Sequence, residues 1–276
     1  MEWLYVLIGS VIGMVIYVLL ILFIFYKQED SNPPPQRPEL PKNETPIPSI
    51  IYKTGPTDSK YLDTTLLNLF QQTETDNPGY KIEYYDDVRA RQFIENNMDR
   101  EVLQTYDSLK PGAYKADLFR YCVLYVNGGI YGDLTQKYLV PIDSLVDRER
   151  DRLVIVRDLF DVLCWKNGIQ ISFMAAVPGL DIFRKAIDEI VYNVTHKNYG
   201  RSCLDVTGPS LFRRCLDRSN VEYRLEAEQT HHGTLRDIKT KENVIVTKMK
   251  NHDSIINKND STDYNVLWRK GKVFNP

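Results

Sequence analysis

A helix, a double-glycine stop and a carboxylate at a strand end are written into Pro111–Gln136, PGAYKADLFRYCVLYVNGGIYGDLTQ. Pro-Gly opens a turn. Apolar Ala116, Phe119, Cys122, Val123 and Val126 then recur at steps of three and four, which gives a helix one buried face. Asn127-Gly128-Gly129 ends that helix, because glycine enters the left-handed cap conformation without steric cost. Ile130-Tyr131-Gly132 is a short strand with Asp133 at its carboxyl end, the place where ligands bind in an open α/β sheet. Asp117 and Arg120 are three apart, so they share a helix side and can act on one ligand. The same residues equally suit a structural unit, a buried helix and strand tied by an ion pair.

With 276 residues and 43% hydrophobic content, the chain can bury a sizeable core in one domain, or in one domain plus a tail. A net charge of −2 without a basic block argues against nucleic acid as the main partner. Four cysteines are too few for a disulfide scaffold and lack metal-site spacing. Cys122 falls on the apolar helix face as a core residue. Cys203 and Cys215 can pair in an oxidising lumen and are equally consistent with free thiols.

Trp3 to Tyr26 carries no charge and is about 36 Å long as a helix, enough to span a bilayer. Without a basic start or a small-residue cleavage site it is an anchor, not a cleaved signal. Trp3, Tyr5 and Tyr26 suit the interfacial aromatic belts, and Gly9 with Gly13 offers a face for helix pairing in a homodimer. Lys27, Arg37 and Lys42 follow the span and only Glu2 precedes it, which weakly favours a cytoplasmic domain by the positive-inside rule. Sequons at Asn43, Asn193 and Asn259 permit a lumenal one. The expected division is a transmembrane anchor over 1–27, a proline-rich, semi-rigid stalk over 28–46 and a globular domain over 47–276.

Within that domain, Ile47–Thr54 is a first strand, and Asp58 caps a helix running to about Gln72. Lys81–Tyr85 is a second strand, followed by helices over Val88–Asn97, capped by Asp86, and Glu101–Leu109. After the opening stretch come strands at Leu153–Val156 and Ile169–Val177, a helix at Asp181–Asn198 and short strands from Val221. Tyr264–Trp268 with Val273-Phe274 looks like a packing tail. Strand–helix alternation predicts an α/β fold with a mainly parallel central sheet and helices on its faces.

ADLFRYCVLYVNGGIYGDLT resembles the signature of glycosyltransferase family 32, roughly A/S-D-x-x-R-Y-x-x-L-x-x-x-G-G-x-Y-x-D-x-D. Asp117, Arg120, Tyr121, Leu124, Gly128, Gly129, Tyr131 and Asp133 fall on it. Thr135 stands where the family has its second aspartate, so the DXD motif is altered to Asp133-Leu134-Thr135. Ile47–Thr54 is similar to the family's opening strand, with Tyr52 in place of the usual histidine. Thr207-Gly208-Pro209 resembles its T-G-P at a helix start.

The resemblance implies a single GT-A-like domain that binds a nucleotide sugar and transfers a hexose, with retention, to a hydroxyl of a glycan or glycolipid. It implies Asp117, Arg120 and Asp133 as catalytic residues, and Tyr52, Thr54, Asp117, Arg120, Tyr131 and Asp133 as donor-binding residues. A Mn²⁺ or Mg²⁺ ion would clamp the phosphates, with Asp133 and Thr135 at the metal. A polar residue before Pro178-Gly179 is to be sought among Asn167, Gln170 and Ser172. His231-His232 is either a C-terminal metal ligand or an exposed hairpin. Membrane-anchored relatives favour a domain in the Golgi or endoplasmic reticulum lumen, against the charge count. Replacing a carboxylate by Thr135 removes a full charge from the metal site. Three outcomes follow: metal held by Asp133, waters and another residue such as Gln136; phosphates held by Arg or Lys with little metal; or an inactive protein that keeps sugar-nucleotide or glycan binding.

Overall fold

β-Branched and aromatic residues, interrupted by Lys53, form Ile50–Thr54 (β1), whose middle three side chains are buried. In the computed structural model, residues 13, 14, 17, 44–56, 64–161, 166–248 and 262–275 are described. The chain divides into units 1–39 and 40–276, and the fold occupies the second. The expected membrane span, apart from helical Gly13, Met14 and Tyr17, and the stalk up to residue 43 lie outside the described residues. Among the described residues no helix is long and apolar enough to cross a membrane.

β1 lies between Lys81–Tyr85 (β2) and Gly129–Gly132 (β3), parallel to both, with Tyr52 level with Glu83 and Tyr131. The helix Thr64–Asp76 (α1) connects β1 to β2. Asp87–Asn97 (α2), Arg100–Ser108 (α3) and Gly112–Asn127 (α4) connect β2 to β3. Asp86 caps α2 by accepting from the Arg89 N–H at 2.7 Å. Gly128, at φ +65°, ends α4 with its N–H on the Leu124 carbonyl.

The remaining strands correct the expected mainly parallel sheet. Leu153–Asp161 (β5) and Lys166–Ala176 (β6) form an antiparallel pair, and β6 lies antiparallel to β3. Arg224–Gln229 (β7), Thr234–Asp237 (β8) and Asn243–Val246 (β9) make an antiparallel meander, with β7 parallel to β5. The nine-stranded sheet runs β2-β1-β3-β6-β5-β7-β8-β9-β4, where β4 is Lys137–Tyr138. Consecutive strands separated by only a few residues, β5–β6, β7–β8 and β8–β9, pair antiparallel, whereas β1 and β2, joined through a helix, pair parallel. The alternation of the first half simply does not continue past Asp133.

Aromatic packing fixes α4 on one face of this sheet. Phe119 meets Tyr85 and Phe93 at centroid distances of 4.8 and 5.8 Å. Tyr121 stacks on Phe212 at 5.4 Å, and Phe183 lies 5.9 Å from Phe212. Those rings bring in Asp181–Thr195 (α6) and Pro209–Asp217 (α7). The short helix Ile142–Leu145 (α5) precedes β5. The C-terminal helix Tyr264–Arg269 (α8) is tied down by its Trp268 indole N–H, which donates to the Tyr199 carbonyl at 2.7 Å. Cys203 and Cys215 carry free thiols. Asn193 is buried and its amide donates to the Val206 carbonyl at 3.0 Å, so this sequon cannot carry a glycan in the folded chain.

Candidate active site

Arg120 is where the expected site residues meet. From α4 its guanidinium lies 3.1 Å from Asp117 and 3.5 Å from Asp133, donates to the Ile171 carbonyl and sits 4.4 Å above the Tyr131 ring. Asp117 is held on its other oxygen by the Thr207 hydroxyl at 2.8 Å. Burial pushes the Asp117 carboxyl up to about 6, against the Arg120 guanidinium and the Thr207 hydroxyl, which favour its ionised form. The T-G-P sequence at the start of α7 thus braces Asp117 through its threonine, a role the motif did not disclose.

Asp117 and Arg120 are buried, whereas the Asp133 side chain is 35% exposed and faces outward. Its N–H donates to the Ser172 carbonyl at 2.9 Å, which fixes the end of β3 against β6. The Ser172 hydroxyl donates to Gln170 and the Gln170 amide to Gln229, continuing a polar row along the same sheet. Asn167's side chain lies outside the described residues. Thr54 is half-buried at the end of β1. Tyr52 is only 1% exposed and packs 6.1 Å from Tyr85, as a core ring.

The turn after Asp133 goes inward. Leu134 joins the satellite cluster of Leu66 and Leu69 on α1, and Thr135 and Gln136 are both 0% exposed. Lys53 is likewise 0% exposed, on the opposite face of β1 from Tyr52, and its ammonium donates to the Asp133 carbonyl at 2.9 Å. Burial pulls that ammonium down to about 7, with the Asp133 charge opposing. Sequence reasoning passed over Lys53, although a lysine in an otherwise apolar strand was the available signal.

A Mn²⁺ or Mg²⁺ ion needs several oxygen ligands directed at one point. Asp133 offers one carboxylate, already beside Arg120, while the Thr135 and Gln136 side chains are enclosed. His231 and His232 are exposed in the turn between β7 and β8. Among the described residues no group of three His, Cys, Asp or Glu side chains can hold a metal. The described residues do not fit a divalent ion here.

Space around this turn is tight. A Cβ on Gly132 would stand 2.4 Å from the Tyr138 hydroxyl, 3.1 Å from the Gln136 side-chain amide oxygen and 3.5 Å from the Lys53 ammonium. Gly132→Ala is therefore expected to cost roughly 1–3 kcal/mol in urea unfolding. A cost near zero would show that the turn yields.

Residues 63–151, which contain α4, β3 and the turn, match the family described as "glycosyltransferase sugar-binding region containing DXD motif". A glycosyltransferase of Acanthamoeba polyphaga mimivirus is 36% identical over 88 residues, 32% of this chain and 35% of that protein. The initiation-specific alpha-1,6-mannosyltransferase of Saccharomyces cerevisiae is 28% identical over 133 residues, 46% of this chain and 27% of that protein. The matched stretch is of the glycosyltransferase family 32 type. Among solved structures, the PaToxG glycosyltransferase is similar at a TM-score of 0.48 and 16% identity, covering 65% of this chain and 72% of that one. The matched stretches span about a third of those curated relatives' own lengths. That match takes in Asp117, Arg120, Tyr131 and Asp133 together. It does not account for the enclosed Thr135.

Proposed function

We propose that the protein is a hexosyltransferase that binds a nucleotide sugar beside Asp133 and passes the sugar to a hydroxyl of a glycan or glycolipid, with retention. The observation that carries this reading is the Asp117–Arg120–Asp133 constellation at the carboxyl end of β3, with one carboxylate partly exposed and the other two groups buried. Transfer requires an oxocarbenium-like sugar to be held while a nucleoside diphosphate leaves. Asp133 accepts hydrogen bonds from sugar or ribose hydroxyls. Arg120 sets its direction, and Asp117 and Thr207 set Arg120. Because each of these groups is fixed before a ligand arrives, little reorganisation remains for the reaction itself. The yeast relative's name makes a GDP-linked mannose the first donor to try. The uncharged N-terminal run supports a single-pass anchor, and Gly9 with Gly13 supports pairing of two copies; a domain in the Golgi or endoplasmic reticulum lumen rests on the family resemblance, against the flanking charges.

The test is release of UDP or GDP from a panel of sugar nucleotides by the full-length chain, with and without Mn²⁺ or Mg²⁺. Turnover with one donor is the expected result. Nucleotide binding without turnover would instead support a catalytically inactive sugar-nucleotide-binding member of the fold, the reading that the enclosed Thr135 favours.

Acidity provides a second check. Donor affinity is expected to fall about tenfold per pH unit below about 6, as Asp117 takes up a proton and releases Arg120. The sign separates this from unfolding. The folded-state value lies above the ordinary 3.8, so protonation between the two favours the folded chain and this group adds no acid lability. Affinity that stays flat from pH 7 to 5 would remove Asp117 from the donor site.

A further inference from the structure

The donor-site reading leaves Lys53 unused. Desolvating an ammonium is costly, and lysine is almost never fully buried without compensation. Lys53 has no accessible surface, and its environment is built around it. Its ammonium donates to the Asp133 carbonyl at 2.9 Å, and the same carbonyl accepts the Gln136 N–H at 3.0 Å, closing a turn over 133–136. The rings of Tyr138 and Phe70 lie 5.5 and 5.9 Å away, within reach of a cation–π attraction. The Gln136 amide and the Tyr138 hydroxyl are buried without a hydrogen-bond partner among the described residues. Both converge with the ammonium on the bare face of Gly132, where the missing Cβ leaves room for them.

An apolar side chain of the same length would fill this space without the desolvation cost. What it could not do is hold a carbonyl. The carbonyl held here belongs to Asp133, whose carboxylate is the exposed acid of the site, and Arg120 approaches that carboxylate from α4. Fixing the peptide plane at Asp133 fixes the direction in which its side chain leaves the backbone. A displacement of about 1 Å at such a group costs on the order of a hundredfold in rate.

We propose that Lys53 is a positioning residue for the transfer site: its ammonium clamps the Asp133 carbonyl from the sheet face opposite Tyr52, and so aims the Asp133 carboxylate at the donor. The aim at a donor rests on the function proposed above; the clamp itself does not.

Two variants of the full-length chain separate a hydrogen-bond donor from filled volume. Lys53→Met fills the space without donating, and Lys53→Gln, of nearly the same shape as methionine, keeps an N–H donor one bond shorter than the ammonium. Hydrogen exchange of the backbone amides over 133–138 needs no donor sugar. It is expected to quicken about tenfold in Lys53→Met and to stay within about threefold of wild type in Lys53→Gln. With the donor found in the panel, kcat is expected to fall about ten- to a hundredfold in Lys53→Met with a smaller change in KM, and Lys53→Gln is expected to recover most of it. Unchanged exchange in Lys53→Met, or equal damage from both variants, overturns the clamp. Exchange that responds as expected in a chain that turns over no sugar nucleotide upholds the clamp and overturns the donor reading. If Lys53→Met does not fold, NMR of the wild-type ammonium decides: protected protons support the clamp, and freely exchanging ones overturn it.

Discussion

Arg120→Met is expected to lower stability by about 3–5 kcal/mol and to abolish sugar-nucleotide binding in the same step. The size follows from what the change leaves behind. Asp117 is buried on α4, and its charge is compensated by Arg120 at 3.1 Å and by the Thr207 hydroxyl at 2.8 Å. Without the guanidinium the carboxylate is buried beside a neutral hydroxyl, and the Ile171 carbonyl loses its donor as well. Asp117→Asn added to Arg120→Met is expected to recover much of the stability, because the stranded charge is gone, and none of the binding. Urea unfolding and nucleotide-sugar titration on both chains make the comparison. A single variant within about 1 kcal/mol of wild type would mean that water reaches the pair and that the site is less enclosed than its geometry indicates.

The contrast between those two losses mirrors what the sequence disclosed. Period and punctuation made α4, its glycine stop and β3 legible to within a residue or two, because each depends on neighbours along the chain. The meeting of Asp117 and Arg120 followed from helix spacing alone. The sheet's second half was not legible. β5 and β6 are apolar runs that suit a parallel or an antiparallel partner equally well, so their antiparallel pairing could not be read from their pattern. The brace of Thr207 on Asp117 joins residues 90 apart, and that of Lys53 on Asp133 joins residues 80 apart. No local period reports such contacts. Thr135 is out of pattern in the sequence, and its full enclosure gives that departure a physical meaning: the turn that would present a second acid goes inward, beside Leu134 and its small cluster on α1.

Asp133→Asn isolates the exposed half of the site. The carboxylate is 35% exposed and its N–H and carbonyl are held by Ser172, Gln136 and Lys53, so the backbone of the turn does not depend on the side-chain charge. The unfolding free energy is accordingly expected to move by less than about 1 kcal/mol, the range of an exposed pair. Catalysis is another matter. An amide of the same shape still accepts one hydrogen bond but carries no charge to set against a developing oxocarbenium ion, and a preorganised group of that kind contributes about 10²–10³ in kcat. A loss of that size in kcat with melting unchanged would place Asp133 at the reacting sugar. A rise in KM with kcat preserved would assign it to binding that is uniform between ground and transition state. Unaltered turnover would remove it from the site altogether, and Arg120, which faces the same space, would become the group to test next.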